Sequence, residues 1–175
     1  MIDCFQKLTF DLQVWLDGAG CIVIAGIGNP IRSDDHVGVR TVGLMKGRVE
    51  GRVHLIECET VPESFIDEIV AIRPTHVLLI DAALIGLGPG EVRLSSVEEV
   101  SLDPPISTHT LPVKVFSEYV RIMTGAKVGF ILVQPKDVNF GEKMTGEVER
   151  SAQKIADILI KTVQRPSSCP SISEP

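Results

Sequence analysis

A chain of 175 residues is long enough for one domain with its own core and needs no disulfide staples, and 44% hydrophobic with 23% charged residues excludes the disordered and collagen-like classes. Seventeen Lys and Arg against 23 Asp and Glu give a net charge of −6, which argues against a nucleic-acid partner, because phosphates are bound by a basic field. Apolar runs such as Val77 to Ile80 and Phe130 to Val133 fall far short of the roughly 20 residues of a membrane span, so a soluble chain without membrane insertion is expected.

Phe5, Leu8, Leu12, Trp15 and Leu16 recur at three- and four-residue spacing, predicting an amphipathic helix over 4–17 that Gly18 and Gly20 stop and that serves as a docking appendage. The same stretch lacks a basic n-region and an unbroken apolar h-region. The four cysteines, Cys4, Cys21, Cys58 and Cys169, form no C-x-x-C pair. A reducing, cytoplasmic location is therefore expected.

From Cys21 short apolar runs alternate with amphipathic stretches. CIVIAGI, VHLIEC, HVLLIDA and KVGFILV read as strands buried on both faces of a parallel sheet, and EVRLS as a shorter fifth strand, at an edge or antiparallel. Helices are predicted over about 35–48, 62–72, 111–123 and 141–164. The pattern predicts a three-layer α/β/α sandwich around a mostly parallel five-stranded sheet. The domain limits expected are 1–20 for the N-terminal helical extension, 21–164 for the main domain and 165–175, rich in Pro and Ser, for a disordered tail.

Ligands of open α/β sheets bind outside the carboxyl ends of the strands, so polar residues there require an explanation. The first strand runs into Gly26-Ile27-Gly28-Asn29-Pro30-Ile31-Arg32-Ser33-Asp34-Asp35-His36. A G-x-G after a first strand is half of a dinucleotide fingerprint, but the third glycine position holds Ile31 and the next helix opens on two aspartates, which repel a pyrophosphate. One carboxylate suffices to cap a helix, so if Ser33 or Asp34 caps, Asp35 is surplus and available to a site. Asp81 ends the third strand beside buried apolar residues, where an ionised carboxylate requires a partner or a cation. His109 sits in the proline-bordered loop PPISTHTLP, an ordered place for an imidazole. His54 and His76 lie early in their strands and belong at the opposite edge; His36 either joins the site or faces solvent. Two carboxylates and one imidazole make an incomplete shell that suits a metal doing chemistry or belonging to a second molecule. No G-x-S-x-G, H-E-x-x-H or P-loop occurs.

The segments GIGNPIRSDDHVG, TVPESF, AIRPTHVLLIDAALIGLGPGEVRL, STHTLP and VGFILVQPKDVNFGEKMT, in that order, resemble the [NiFe]-hydrogenase maturation endopeptidases, over about Ile22 to Ile160. RPTHVLLIDA with GLGPGEVRL and QPKDVNFG is most similar to the subgroup serving formate-hydrogenlyase-type hydrogenases. The resemblance implies a phosphorylase/hydrolase-like fold and an aspartic-type or metal-dependent endopeptidase that removes the C-terminal extension of a hydrogenase large-subunit precursor. By motif position it implies that Asp35, Asp81 and His109 are catalytic and bind nickel, which arrives with the substrate and is no permanent cofactor, and that Gly28, Asn29, Asp34 and Thr60 contact substrate. This chain departs from the family at His36, where glycine is usual, and at Glu57-Cys58-Glu59-Thr60, where a D-G-G-[ST] turn is usual.

The residues leave the attacking group open. A carboxylate activates water, or the metal polarises the carbonyl or supplies hydroxide, or Cys58 attacks with His109 as its base. A peptidyl-tRNA-hydrolase-like enzyme, which also opens on a strand and G-x-G-N-P, is disfavoured by the acid pair and by the negative net charge. A non-catalytic nickel-binding maturation chaperone would use the same three ligands as a carrier site.

Overall fold

The computed structural model describes residues 3–100 and 110–164. In chain order they form α1 (Cys4–Trp15), β1 (Ile22–Ile27), a 3₁₀ turn (Ser33–His36), α2 (Val37–Met45), β2 (Val53–Glu59), a second 3₁₀ turn (Pro62–Phe65), α3 (Ile66–Ile72), β3 (His76–Ala82), β4 (Val92–Ser96), α4 (Val97–Val100), α5 (Thr110–Thr124), β5 (Lys127–Val133) and α6 (Gly146–Val163). The sheet order is β2-β1-β3-β5-β4, with β4 antiparallel to β5 and the other pairs parallel. The short fifth strand is thus both at an edge and antiparallel.

Alternation along the strands builds two cores, because successive side chains point to opposite faces. Ile22, Ile24, Leu78, Ile80, Ile131 and Val133 pack under α1, α2 and α6, whereas Val23, Ala25, Val77, Leu79, Phe130 and Leu132 pack under α3, α4 and α5. Every residue of β1 and β3 is buried, and each such Ile, Leu or Val side chain contributes about 1.5–3 kcal/mol by leaving water. β2, read from sequence as covered on both faces, is an edge strand with His54 exposed.

α1 differs from the appendage expected. Leu8 and Leu12 are 1% and 0% exposed in the core under α6 and β4, so the helix completes a layer of the sandwich. Its last turn is keyed to the sheet at Gly129, where a Cβ would stand 2.9 Å from the Trp15 ring. Trp15 also meets His76 edge to face at 5.0 Å, and Lys127 donates from Nζ to its carbonyl at 3.0 Å.

The predicted first helix of the main domain divides into the 3₁₀ turn and α2, and the predicted helix over 62–72 divides in the same way. The last helix begins at Gly146 instead of 141, because Thr145 gives its amide and hydroxyl to Asp34. The tail expected to be disordered, 165–175, lies outside the described residues. No helix among the described residues is long and apolar enough to cross a membrane.

Candidate active site at the carboxyl edge of the sheet

The loop after β1 is held by close backbone approach. Gly28 has φ +142°, and a Cβ there would stand 1.8 Å from the Asp35 carbonyl oxygen. Its N–H donates to the Glu59 carbonyl at 2.7 Å, tying the end of β1 to the end of β2. Gly38, in the first turn of α2, lies against the strand ends: a Cβ there would stand 2.1 Å from the Ile80 carbonyl oxygen and 2.3 Å from that of Ile27. Only glycine permits these approaches. They seat the turn bearing Asp35 directly over the carboxyl ends of β1 and β3, and Asp81 follows Ile80 in β3.

Within the turn, Asn29 makes an Asx turn by accepting from the Ile31 N–H at 3.1 Å, and its own N–H donates to Asp35 Oδ2 at 3.1 Å. The Asp35 N–H donates to the Arg32 carbonyl at 3.0 Å. Asp35 is 2% exposed and Asp81 0%. Two carboxylates are thus fixed at the strand edge, away from bulk water, where charge interactions are strong. His109, the third expected site residue, lies outside the described residues. Among the described residues no group of three or more His, Cys, Asp and Glu side chains is placed to hold a metal ion.

Asp34 does not cap the helix. It is 0% exposed and accepts from the Lys136 and Asp137 amides at 2.8 and 2.9 Å and from the Thr145 amide and hydroxyl at 2.7 and 3.0 Å. Of the four expected substrate contacts, Thr60 is exposed and Asn29 half-buried, whereas Gly28 and Asp34 are buried and engaged within the fold.

The two departures from the family pattern have structural expressions. His36 is half-buried and lines a cleft of about 400 Å³ with Arg40, Glu142, Lys143, Met144 and Glu149. Burial, then the Arg40 charge, push its imidazole below the ordinary histidine value. Glu59 has φ +49°, a left-handed conformation at a position where the family usually has glycine. Cys58 falls where the β1–β2 register slips, since Gly26 pairs Glu57 and Ile27 pairs Glu59. The thiol is 0% exposed and is pushed up to about 12 by burial, then by Glu68. A buried thiol in that state is protonated at neutral pH, which argues against Cys58 as the nucleophile. His76 pairs Ile22 and Lys127 at the start of the strands, and His54 pairs Val23, so both are remote from the aspartates.

The segment after β5 is the part of the site that residue-by-residue reading missed. Gln134 accepts from the Ile85 and Leu87 amides through Oε1 at 2.9 and 3.3 Å, fixing the loop that follows Asp81. Its sequence, QPKDVNFGEKMT, reads only as polar and turn-forming, and nothing local reveals that Thr145 meets a residue 111 positions earlier.

The model of the hydrogenase maturation protease family HycI matches residues 39–162. The chain belongs to the hydrogenase maturation protease family. A relative from Methanocaldococcus jannaschii, provisionally named a hydrogenase maturation protease, is 34% identical over 151 residues, covering 82% of this chain and 88% of the relative. The hydrogenase 3 maturation protease of Escherichia coli K12 is 27% identical over 133 residues, covering 76% and 85%. The crystal structure of the [NiFe] hydrogenase maturation protease HycI from Thermococcus kodakarensis KOD1 superposes with a TM-score of 0.83 at 29% identity, over 89% of this chain and 99% of that one. The family's fold is therefore the one described above, and the subgroup indicated by the sequence motifs fits these HycI relatives.

Proposed function

We propose that this protein is a cytoplasmic endopeptidase that removes the C-terminal extension of a [NiFe]-hydrogenase large-subunit precursor after nickel insertion, using Asp35, Asp81 and His109. The observation that carries this reading is the pair of buried acids, Asp35 and Asp81, at the carboxyl edge of adjacent strands in a chain of this family. Nickel is part of the substrate here, held by the precursor's own thiolates, and the three side chains complete its coordination. Metal loading then becomes a recognition test, because an empty precursor brings no cation to the two buried carboxylates.

Hydrolysis itself requires a base and a proton donor. A carboxylate of the pair takes a proton from water as its oxygen adds to the scissile carbonyl carbon; the C–N bond then breaks and the proton passes to the leaving amine. Asn29 steadies Asp35 for this role through its N–H, and exposed Thr60 meets the incoming chain at the rim.

The test is to incubate the protein with nickel-loaded and nickel-free precursor and read the mass of the large subunit. Loss of a C-terminal fragment from the loaded form alone is the expected outcome. Equal cutting of both forms would remove nickel recognition, and tight nickel binding with no cutting would make the protein a carrier.

A further inference from the structure

The family motif QPKDVNFGEKMT has no part in the chemistry above, yet it touches both halves of the site. One end of it holds the loop after Asp81: Gln134 accepts the Ile85 and Leu87 amides on its side-chain oxygen, its carbonyl accepts the Gly90 N–H at 2.8 Å, and its own N–H donates to the Glu91 carbonyl at 2.9 Å. The rest holds the turn before Asp35. Asp34 receives four hydrogen bonds from Lys136, Asp137 and Thr145. The Asp34 and Ser33 amides return to the Asp137 and Gly141 carbonyls at 3.0 and 2.7 Å, and the Gly141 amide donates to Ile31 at 3.0 Å. Arg32 and Gly141 form a parallel bridge, and Arg32 Nε donates to the Val138 carbonyl at 3.1 Å.

We infer that residues 134–145 are a brace that sets the relative position of Asp35 and Asp81, with Asp34 and Gln134 as its two positioning residues and no contact of their own with substrate. The inference rests on the proposed function only for what the positioning serves. Asp34 is suited to it because a carboxylate can receive several donors at once, whereas most side chains offer one acceptor atom. Its neighbour in sequence is Asp35, so when Asp34 faces the brace across a 3₁₀ turn, the direction of the Asp35 side chain is fixed as well. Gln134 acts through backbone amides of the other loop. A shift of about 1 Å between reacting groups lowers a rate on the order of 10²-fold, so a device that fixes two acids borne on different loops has a kinetic consequence.

Three variants separate the brace from general stability. Asp34→Asn keeps the shape but turns an amide group toward N–H donors, and Thr145→Val removes a single hydroxyl donor, which Thr145→Ser restores. Cleavage of nickel-loaded precursor, measured well below each variant's own Tm, should show kcat reduced on the order of 10²-fold for Asp34→Asn, less for Thr145→Val and near wild type for Thr145→Ser, with KM little changed throughout. Amide hydrogen exchange gives a second reading that needs no substrate: in Asp34→Asn the Asn29 and Ile85 amides should both exchange about tenfold faster or more, while those of central β3 stay as protected as in wild type. Unchanged kcat in Asp34→Asn, or faster exchange at Asn29 without Ile85, or a uniform loss of protection that includes β3, would each overturn the brace. If wild type itself cuts nothing, the proposed function fails, and the exchange measurement still decides whether the two loops are coupled.

Discussion

Asp34 and Asp35 are adjacent aspartates and both buried, yet one faces a backbone-rich loop and the other the strand edge. Sequence reading made Asp35 surplus on the condition that Ser33 or Asp34 capped the helix, but neither side chain caps it; the family motif pointed to Asp35, and what could not be read was that Asp34 binds a segment over a hundred residues away. His36 carries a pH consequence that can be measured. Its imidazole titrates below the ordinary value of 6.5 in the folded protein, so below about pH 6.5 the unfolded chain takes up a proton that the folded one refuses. His76 is lowered for the same leading reason, burial. The stability held by these two neutral rings is present above pH 6.5 and lost as the pH falls through it. Tm followed from pH 7.5 to 5.5 should decline, and His36→Ala should decline less steeply; identical slopes would mean that the ring is as solvated in the folded protein as in the unfolded one.

At the scale of elements, hydrophobic spacing located α1, α2, α3, α5 and α6, each of which turns an apolar face to the sheet, and short apolar runs located the five strands. The deviations have tertiary causes. Two predicted helices open as 3₁₀ turns where the chain has just left a strand edge, and α6 starts late because Thr145 is drawn to Asp34. α1 shows the limit of periodicity most plainly: Leu8 and Leu12 announce an apolar face, but whether that face meets this chain's own sheet or a partner is a matter of where Trp15 finds room, and the room is provided by Gly129. If α1 is part of the sandwich, Leu12→Ala costs about 2–5 kcal/mol, read as a lower midpoint in urea denaturation with the slope unchanged. An unaffected midpoint would return the helix to the status of an appendage.

In the whole molecule the parallel sheet gives its two edges different characters. The amino edge, with His76, Trp15 and Lys127 in contact, locks α1 in place. The carboxyl edge collects the candidate chemistry, as α/β sheets do where loops from adjacent strands converge. The placement of Asp35 and Asp81 at this edge was legible in the sequence because Asp81 ends an otherwise apolar run and Asp35 follows a glycine-bearing strand end. The separation of the two acids was not, since it depends on glycine packing at 28 and 38 and on the brace, neither of which has a local pattern. The burial of Cys58 continues the alternation of β2, since Ile56 and Cys58 face the same core, whereas the register slip beside it has no local pattern.

The most direct test of the account is the intact mass of nickel-loaded precursor after incubation with Asp81→Asn, with Cys58→Ala measured alongside. Amide for carboxylate preserves size and removes the charge that serves both a cation and proton abstraction, so Asp81→Asn should leave the precursor at full length while Cys58→Ala trims it at close to the wild-type rate. A trimmed product from Asp81→Asn, or loss of trimming confined to Cys58→Ala, would contradict the assignment of the chemistry to the paired acids.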